Sequence, residues 1–392
     1  MKFFKSKKQI IPLHYNYYFI PVLLVVLVGL FDSFYLAFSH YRIYTDMAYK
    51  SFCAISRSFN CDTVSQSPYS ILFGVPVPVW GIIGYAFFLI LLVFAWPQKA
   101  QKKRIWSILF LLSLGFTVYS IVLAVISSYI IGSYCIMCIL SYAVNLLLLY
   151  FTWIVRKRFH CESIFKALAL DIKHLLAYPK LSIGGGAAVG LGLLLLLMFF
   201  PPYWQLTPPS PSTNLPTGMT SDGHPWIGAE NPKLVIVEFT DYRCFPCKKM
   251  HYFLRRLIQA YPDKIRLVHR HFPMDHKVNP IVDRPYHEGA AKLAIVSLYA
   301  AKKDKFWVMN DILFDLSRHV AAVNIRKLAE QAGIPSEEIR DIWRDQQLWK
   351  YLKKDIQAGI KYGLTGTPGF VINDRVYQGS IPAEALKDYG MF

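Results

Sequence analysis

Leu234-Val235-Ile236-Val237-Glu238-Phe239-Thr240-Asp241-Tyr242-Arg243-Cys244-Phe245-Pro246-Cys247 is a β-branched run leading directly into a C-x-x-C motif. A helical pattern follows through Met250, Phe253, Leu254 and Leu257. A cysteine at such a strand-to-helix junction meets unpaired backbone N–H groups and the positive end of the helix dipole, both of which stabilise a thiolate. By that reasoning Cys244 is the exposed nucleophile and Cys247, one turn into the helix, is its shielded resolving partner. Half of a zinc site is the competing reading of any C-x-x-C. The preceding strand and the lack of a second Cys/His pair at finger spacing favour thiol chemistry and no metal.

Outward from the motif, the chain reads as a soluble α/β domain from about residue 225. Residues 265–269 form a second strand and 286–360 are mostly helical in pattern. Thr365-Gly366-Thr367-Pro368 then opens a last strand over 369–373, with 376–378 pairing against it. This arrangement resembles the thioredoxin-fold domains of the DsbA-like branch. The resemblance implies that Pro368 is a cis proline lying beside the motif. Glu238, six residues before Cys244, would be a buried carboxylate exchanging protons with Cys247; a polar residue on an edge strand is the plainer alternative. DsbA-type enzymes carry His before the second cysteine, whereas this chain has Pro246, as thioredoxin does, which points to a milder oxidant.

The first 200 residues are different in kind. The chain is 54% hydrophobic and 16% aromatic, and five apolar stretches, near 17–39, 78–96, 105–128, 137–155 and 181–200, are each long enough to cross about 30 Å of hydrocarbon. Lys and Arg outnumber Asp and Glu by 43 to 25. Much of that excess sits beside the apolar runs, which argues for membrane orientation and against nucleic acid. Lys2, Lys5, Lys7 and Lys8, then Lys99, Lys102, Lys103 and Arg104, then Arg156, Lys157 and Arg158 mark the cytoplasmic side. The N-terminus is then inside, as an uncleaved signal anchor, and the C-terminal domain outside. With this topology six of seven cysteines fall into three pairs facing an oxidising compartment, and Cys161 lies alone in the reducing cytoplasm.

Those pairs are Cys53 with Cys61, Cys135 with Cys138, and Cys244 with Cys247. Cys53 and Cys61 lie in a long outer loop followed by Ser67; Cys135-Ile136-Met137-Cys138 opens the fourth span, with Tyr142 and Asn145 one and two turns on. Over roughly residues 15–155 this constellation resembles the vitamin K epoxide reductase family, and the fifth span with a thioredoxin-like tail resembles the fused form found in bacteria. The resemblance implies a four-helix bundle enclosing a quinone, ubiquinone or menaquinone, with Cys138 next to its ring and Cys135 shuttling electrons from the loop pair. Cys53 would meet the soluble domain, Cys61 would pass electrons inward, and Ser67 and Tyr142 would be polar groups near the quinone. Structural disulfides remain the alternative for both membrane pairs.

The expected fold is therefore a membrane α-helical bundle, a four-helix core plus a fifth transmembrane helix, followed by a soluble α/β thioredoxin-fold domain with a helical insertion. The domains are 1–158, the membrane core; 159–200, an amphipathic cytoplasmic segment and the fifth span; 201–224, a Pro-rich linker; and 225–392, the soluble domain. The expected activity is quinone-linked disulfide formation in reduced exported proteins by an integral protein of the bacterial inner membrane. The same relay run as a reductase or isomerase, or a non-catalytic membrane-anchored folding factor, is the alternative. His269, His271, His276 and His287 could be assembled into a metal site, but no Cys or carboxylate pair completes the set. A transporter is disfavoured because the spans hold no charged residue except Asp32, near the expected end of the first.

Overall fold

The computed structural model describes residues 13–47, 49–55, 58–96, 104–159, 163–206, 208, 215–316, 323–382, 384–387 and 389. Cys161 and all seven lysines expected to orient the first two inner segments lie outside these residues. The chain divides into two compact units, one containing 1–45 and 49–204, the other 46–48 and 205–392.

The first unit is helical: α1 (Asn16–Thr45), α2 (Cys61–Ser65), α3 (Val77–Val93), α4 (Trp106–Ile126), α5 (Ile136–Phe159), α6 (Ile164–Leu176) and α7 (Pro179–Phe199). A small hairpin of β1 (Ile71–Leu72) and β2 (Val75–Pro76) precedes α3. Helix α1, helix α4 with its continuation to Ile131, and helix α5 are long and apolar enough to cross a membrane; α3 and the apolar part of α7 are shorter. Helix α5 packs against α1 and α4, and α1 against α3. Phe19, Val22, Val26, Tyr85, Phe88, Trp106, Val144 and Leu148 form the core among them. The approach of α1 is close because Gly29 lacks a side chain: a Cβ there would lie 2.7 Å from the Tyr85 ring and 2.8 Å from Val144. Helix α1 runs to Thr45, beyond the expected end near residue 39, so Asp32 lies about midway along it rather than near its end.

The second unit is a six-stranded sheet with helices. Its elements are β3 (Thr217–Met219), β4 (Pro225–Gly228), β5 (Leu234–Thr240), α8 (Phe245–Ala260), β6 (Ile265–His271), α9 (Ala290–Ala301), α10 (Phe306–Asp315), α11 (Ile325–Gln331), α12 (Gln346–Lys361), β7 (Gly369–Ile372), β8 (Arg375–Gln378) and α13 (Glu384–Lys387). The strand order is β3-β4-β6-β5-β7-β8, with β5 and β6 parallel and every other pair antiparallel. Helices α9 to α12 form the insertion between β6 and β7. Strand periodicity separates two cores. Leu234, Ile236, Ile265 and Leu267 pack with Met250, Leu254 and Ile258 of α8, whereas Val237, Phe239 and Val371 belong to the cluster holding Cys244, Cys247, Phe272 and much of the insertion. By the same alternation Glu238, His269 and His271 fall on the α8 side of the sheet.

Candidate functional site: three cysteine pairs

Cys244 caps α8. Its N–H donates to the Asp241 carbonyl at 3.0 Å, and its sulfur accepts the Cys247 N–H at 3.4 Å, as an N-cap group should. Asp241 shapes the turn by accepting from the Arg243 and Met274 N–H groups, both at 2.7 Å, and from His287 Nδ1 at 2.8 Å. The Thr367 carbonyl oxygen lies 3.4 Å from the Cys244 sulfur, so residues 123 positions apart in sequence meet at one place; the Thr367–Pro368 peptide is cis. Cys244 is 4% exposed, less open than its expected role as an accessible nucleophile, and Cys247 is fully buried. Burial, reinforced by the neighbouring Cys244 sulfur, pushes the Cys247 thiol well above the ordinary thiol range.

Glu238 is fully buried, and its hydrogen-bond partner among the described residues is His269, Oε1 to Nδ1 at 2.8 Å, rather than a cysteine. The parallel register of β5 and β6 sets Glu238 directly opposite His269. From His269 Nε2 the contacts continue to His271 Nδ1 at 3.2 Å, and from His271 Nε2 to the Ser297 hydroxyl at 3.3 Å. Burial pushes Glu238 up to about 7, outweighing the attraction of His251 and Arg255. Burial also lowers His269 to about 3 and holds His271 well below its ordinary value. Of the other histidines considered as ligands, His287 is bonded to Asp241 and His276 lies beside Asp275. Three of the four thus sit beside separate carboxylates, while the His271 ring contacts His269 and Ser297.

In the first unit Cys53 and Cys61 are joined by a disulfide, with a Cα–Cα distance of 5.6 Å. Hydrogen bonds from Asn60 N to the Tyr134 carbonyl (2.9 Å) and from Tyr134 N to the Ser58 carbonyl (2.7 Å) fasten this loop to the residue preceding Cys135. Asn60 also caps α2 by accepting from Thr63 N at 3.1 Å. As a result Cys53, Cys61 and Cys135 share one buried cluster with Leu36, against which Cys138, Met137 and Tyr35 pack. Cys135 sits at the start of α5 and its sulfur accepts the Cys138 N–H at 3.1 Å. Ser67 is buried and donates to the Val64 carbonyl at 2.8 Å. Tyr142 stands one turn beyond Cys138.

Composition and periodicity missed the polar ladder inside this bundle. Ser141 donates to the Asp32 carboxylate; Tyr85 donates to Asn145 at 2.7 Å; Asn145 donates to Ser120 at 2.8 Å; and Thr117 donates to the Asn145 carbonyl at 3.1 Å. Its faint sequence signal is small polar residues at helical spacing within apolar runs, Ser113, Thr117 and Ser120 on α4, and Ser141 and Asn145 on α5.

Residues 20–153 match the vitamin K epoxide reductase family, and residues 235–389 match the DSBA-like thioredoxin domain. A thioredoxin-like oxidoreductase from Silicibacter pomeroyi DSS-3 is 23% identical, covering 44% of this chain and 91% of that one, with a TM-score of 0.37. BdbD from Bacillus subtilis is 20% identical, covering 45% and 96%, with a TM-score of 0.36. The Na(+)/H(+) antiporter NhaA 3 of Salinispora tropica is 26% identical over 159 residues, 41% of this chain and 23% of the antiporter. The chain thus spans about a quarter of the length of that curated relative.

The fold joins apolar membrane-length helices to a strand-C-x-x-C-helix domain in one chain. The chain joins a vitamin K epoxide reductase family domain to a DSBA-like thioredoxin domain.

Proposed function

We propose that this protein forms disulfide bonds in exported proteins and hands the electrons to a membrane quinone. One thiolate of a reduced substrate attacks Cys244 of the Cys244–Cys247 disulfide and expels Cys247; a second substrate thiolate then attacks the mixed disulfide, releasing Cys244 and leaving the substrate with a disulfide. The resulting dithiol reduces Cys53–Cys61, which in turn reduces Cys135–Cys138. The observation that carries this reading is the single buried cluster of Cys53, Cys61 and Cys135 with Cys138 packed against it. A structural disulfide needs no second dithiol at its side.

The surroundings of Cys138 fit a quinone. Ile139 and Leu140 beside it present apolar surface outward, and Asp32 Oδ1 is a buried polar atom without a hydrogen-bond partner among the described residues. Tyr142 and Ser67 are the further polar groups assigned to this site. A bound quinone would supply a lipid-soluble sink for two electrons. The protein's own part is to hold the cysteines in sequence, keep Cys247 protonated until it resolves a mixed disulfide at Cys244, and exclude water from the inner pair.

In this reading residues 1–158 are the membrane core, 159–200 an inner-face helix and fifth span, 201–224 a linker and 225–392 the soluble domain. Arg156, Lys157 and Arg158 in the last turn of α5 support an inside location for that end. All three pairs then lie on the periplasmic side of a bacterial inner membrane. Tethering raises the donor domain's effective concentration to roughly millimolar. Pro246 favours a second reading, the same relay run as a reductase or isomerase.

Quinone reduction driven by a reduced, unfolded thiol substrate tests the proposal on wild type and each single cysteine variant. Loss on Cys138→Ser or Cys244→Ser, with Cys161→Ser silent, is expected. Purification of Cys244 and Cys247 as thiols from cells would favour the reductase or isomerase.

A further inference from the structure

Asp32 is an ionisable group about midway along a membrane-length helix, 4% exposed. Its Oδ2 accepts the hydroxyl of Ser141, and its Oδ1 is buried with no hydrogen-bond partner among the described residues. Ser141 lies one turn beyond Cys138 on α5, and the Asp32 carboxyl group lies within electrostatic reach of the Cys138 sulfur. A carboxylate at membrane depth with one oxygen unsatisfied is costly, and such groups persist where they move protons or bind ligands. Packing alone gives no reason for it, since a neutral asparagine would accept the Ser141 hydroxyl equally well. The titratable groups within electrostatic reach of it are Tyr85 from α3 and Cys138 from α5, and Cys138 is in turn beside Cys135 and Tyr142. Against these phenols and thiols the carboxyl group is the one with an ordinary pKa below neutrality, and so the available base.

We infer that Asp32 is the proton acceptor of the inner cysteine pair: Oδ1 takes the proton that leaves the Cys138 thiol as Cys135 and Cys138 close to a disulfide, and Ser141 orients the carboxylate for it. Two S–H bonds break and one S–S bond forms. The electron pair and, at the end, both protons pass to an oxidant of the quinone class, the Cys138 proton resting on Asp32 in between. The inference rests on reading Cys135–Cys138 as a redox pair and deepens that reading.

The test uses the full chain in detergent micelles with no quinone, oxidised by the small-molecule oxidant diamide. Infrared spectra recorded during the oxidation should show a transient carboxylic-acid C=O component that is absent in Asp32→Asn. Closure of Cys135–Cys138, followed by alkylation quenching and mass mapping, should slow about 100-fold in that variant. Its rate should also rise about tenfold per pH unit, as for an unassisted thiol, where wild type is flatter. Asp32→Glu should restore the wild-type profile, and Ser141→Ala should fall between. An infrared component unchanged in Asp32→Asn, or identical rate–pH profiles, overturns the assignment. If Asp32→Asn does not fold, the Asp32→Glu and Ser141→Ala profiles decide, and Ser141→Ala matching wild type counts against it. Wild type that passes these tests yet reduces no quinone refutes the quinone linkage and leaves the role of Asp32 standing.

Discussion

Glu238 and His269 face each other across the parallel β5–β6 pair, joined Oε1 to Nδ1 at 2.8 Å with neither side chain reached by solvent. The hydrogen-bond chain beyond them supports one placement of the proton. With the Ser297 hydroxyl donating to the Ala294 carbonyl at 2.9 Å, His271 Nε2 carries the proton that reaches Ser297. A neutral His271 then offers Nδ1 as an acceptor, His269 Nε2 donates to it, and His269 Nδ1 is left as an acceptor. The remaining proton belongs to Glu238. In this arrangement the carboxylic acid is neutral in the folded protein below about pH 7, the state toward which burial drives both it and the two imidazoles.

This predicts an unusual pH dependence for Glu238→Gln. An acid whose folded pKa is about 7 against an ordinary 4.5 binds more protons folded than unfolded between those values, so its stabilising contribution is complete below pH 4.5 and is lost as pH rises through about 7. The amide side chain of the variant mimics the neutral acid. The two proteins should be equally stable at acid pH, and the variant should gain as pH rises, levelling off at about 3 kcal/mol above pH 7. The buried histidines, with lowered pKa values, make stability fall in acid for both proteins and cancel in the difference. Thermal unfolding of the soluble unit within the intact protein, followed by tryptophan fluorescence, checks it. A variant less stable at every pH would mean an ion pair instead.

The position of each cysteine motif was legible because a chemical pattern and a local one coincide: Cys244 and Cys135 each stand where an apolar or β-branched run changes period. Glu238's partner was not legible, since His269 is 31 residues away and the pair exists only through strand register. Asp32 was misjudged because the Ser39–Thr45 segment is polar and aromatic, yet it continues the helix. The expected openness of Cys244 followed from its N-cap position alone; the 365–368 segment that approaches it comes from the far end of the domain.

Cys247 should be the slower thiol. With its pKa pushed well up by burial, it should react with iodoacetamide at neutral pH at least about tenfold more slowly than Cys244, because the thiolate is the nucleophile. Mass mapping after brief alkylation of the reduced protein measures the ratio. Equal labelling would contradict the burial of Cys247.

Gly29→Val should loosen the bundle. The new Cβ would meet the Tyr85 ring at 2.7 Å, pressing α1 away from α3 and α5. An overpacked contact of this kind costs about 1–3 kcal/mol. The melting temperature in detergent should fall, with a larger loss for Gly29→Leu and a smaller one for Gly29→Ala.

The order of transfer can be trapped covalently. If Cys61 passes electrons inward, then Cys53→Ser combined with Cys138→Ser leaves Cys61 and Cys135 as the two sulfurs of the stalled exchange, in the buried cluster they already share. The double variant should accumulate a Cys61–Cys135 disulfide, detected by peptide mapping without reduction. The opposite combination, Cys61→Ser with Cys138→Ser, should yield little Cys53–Cys135 bond. Asn60→Ala should lower the trapped yield, since it removes the cap of α2, worth about 1 kcal/mol, at the residue whose backbone N–H fastens the loop to Tyr134. Trapping through Cys53 in preference to Cys61 would reverse the inner half of the relay while leaving its endpoints in place.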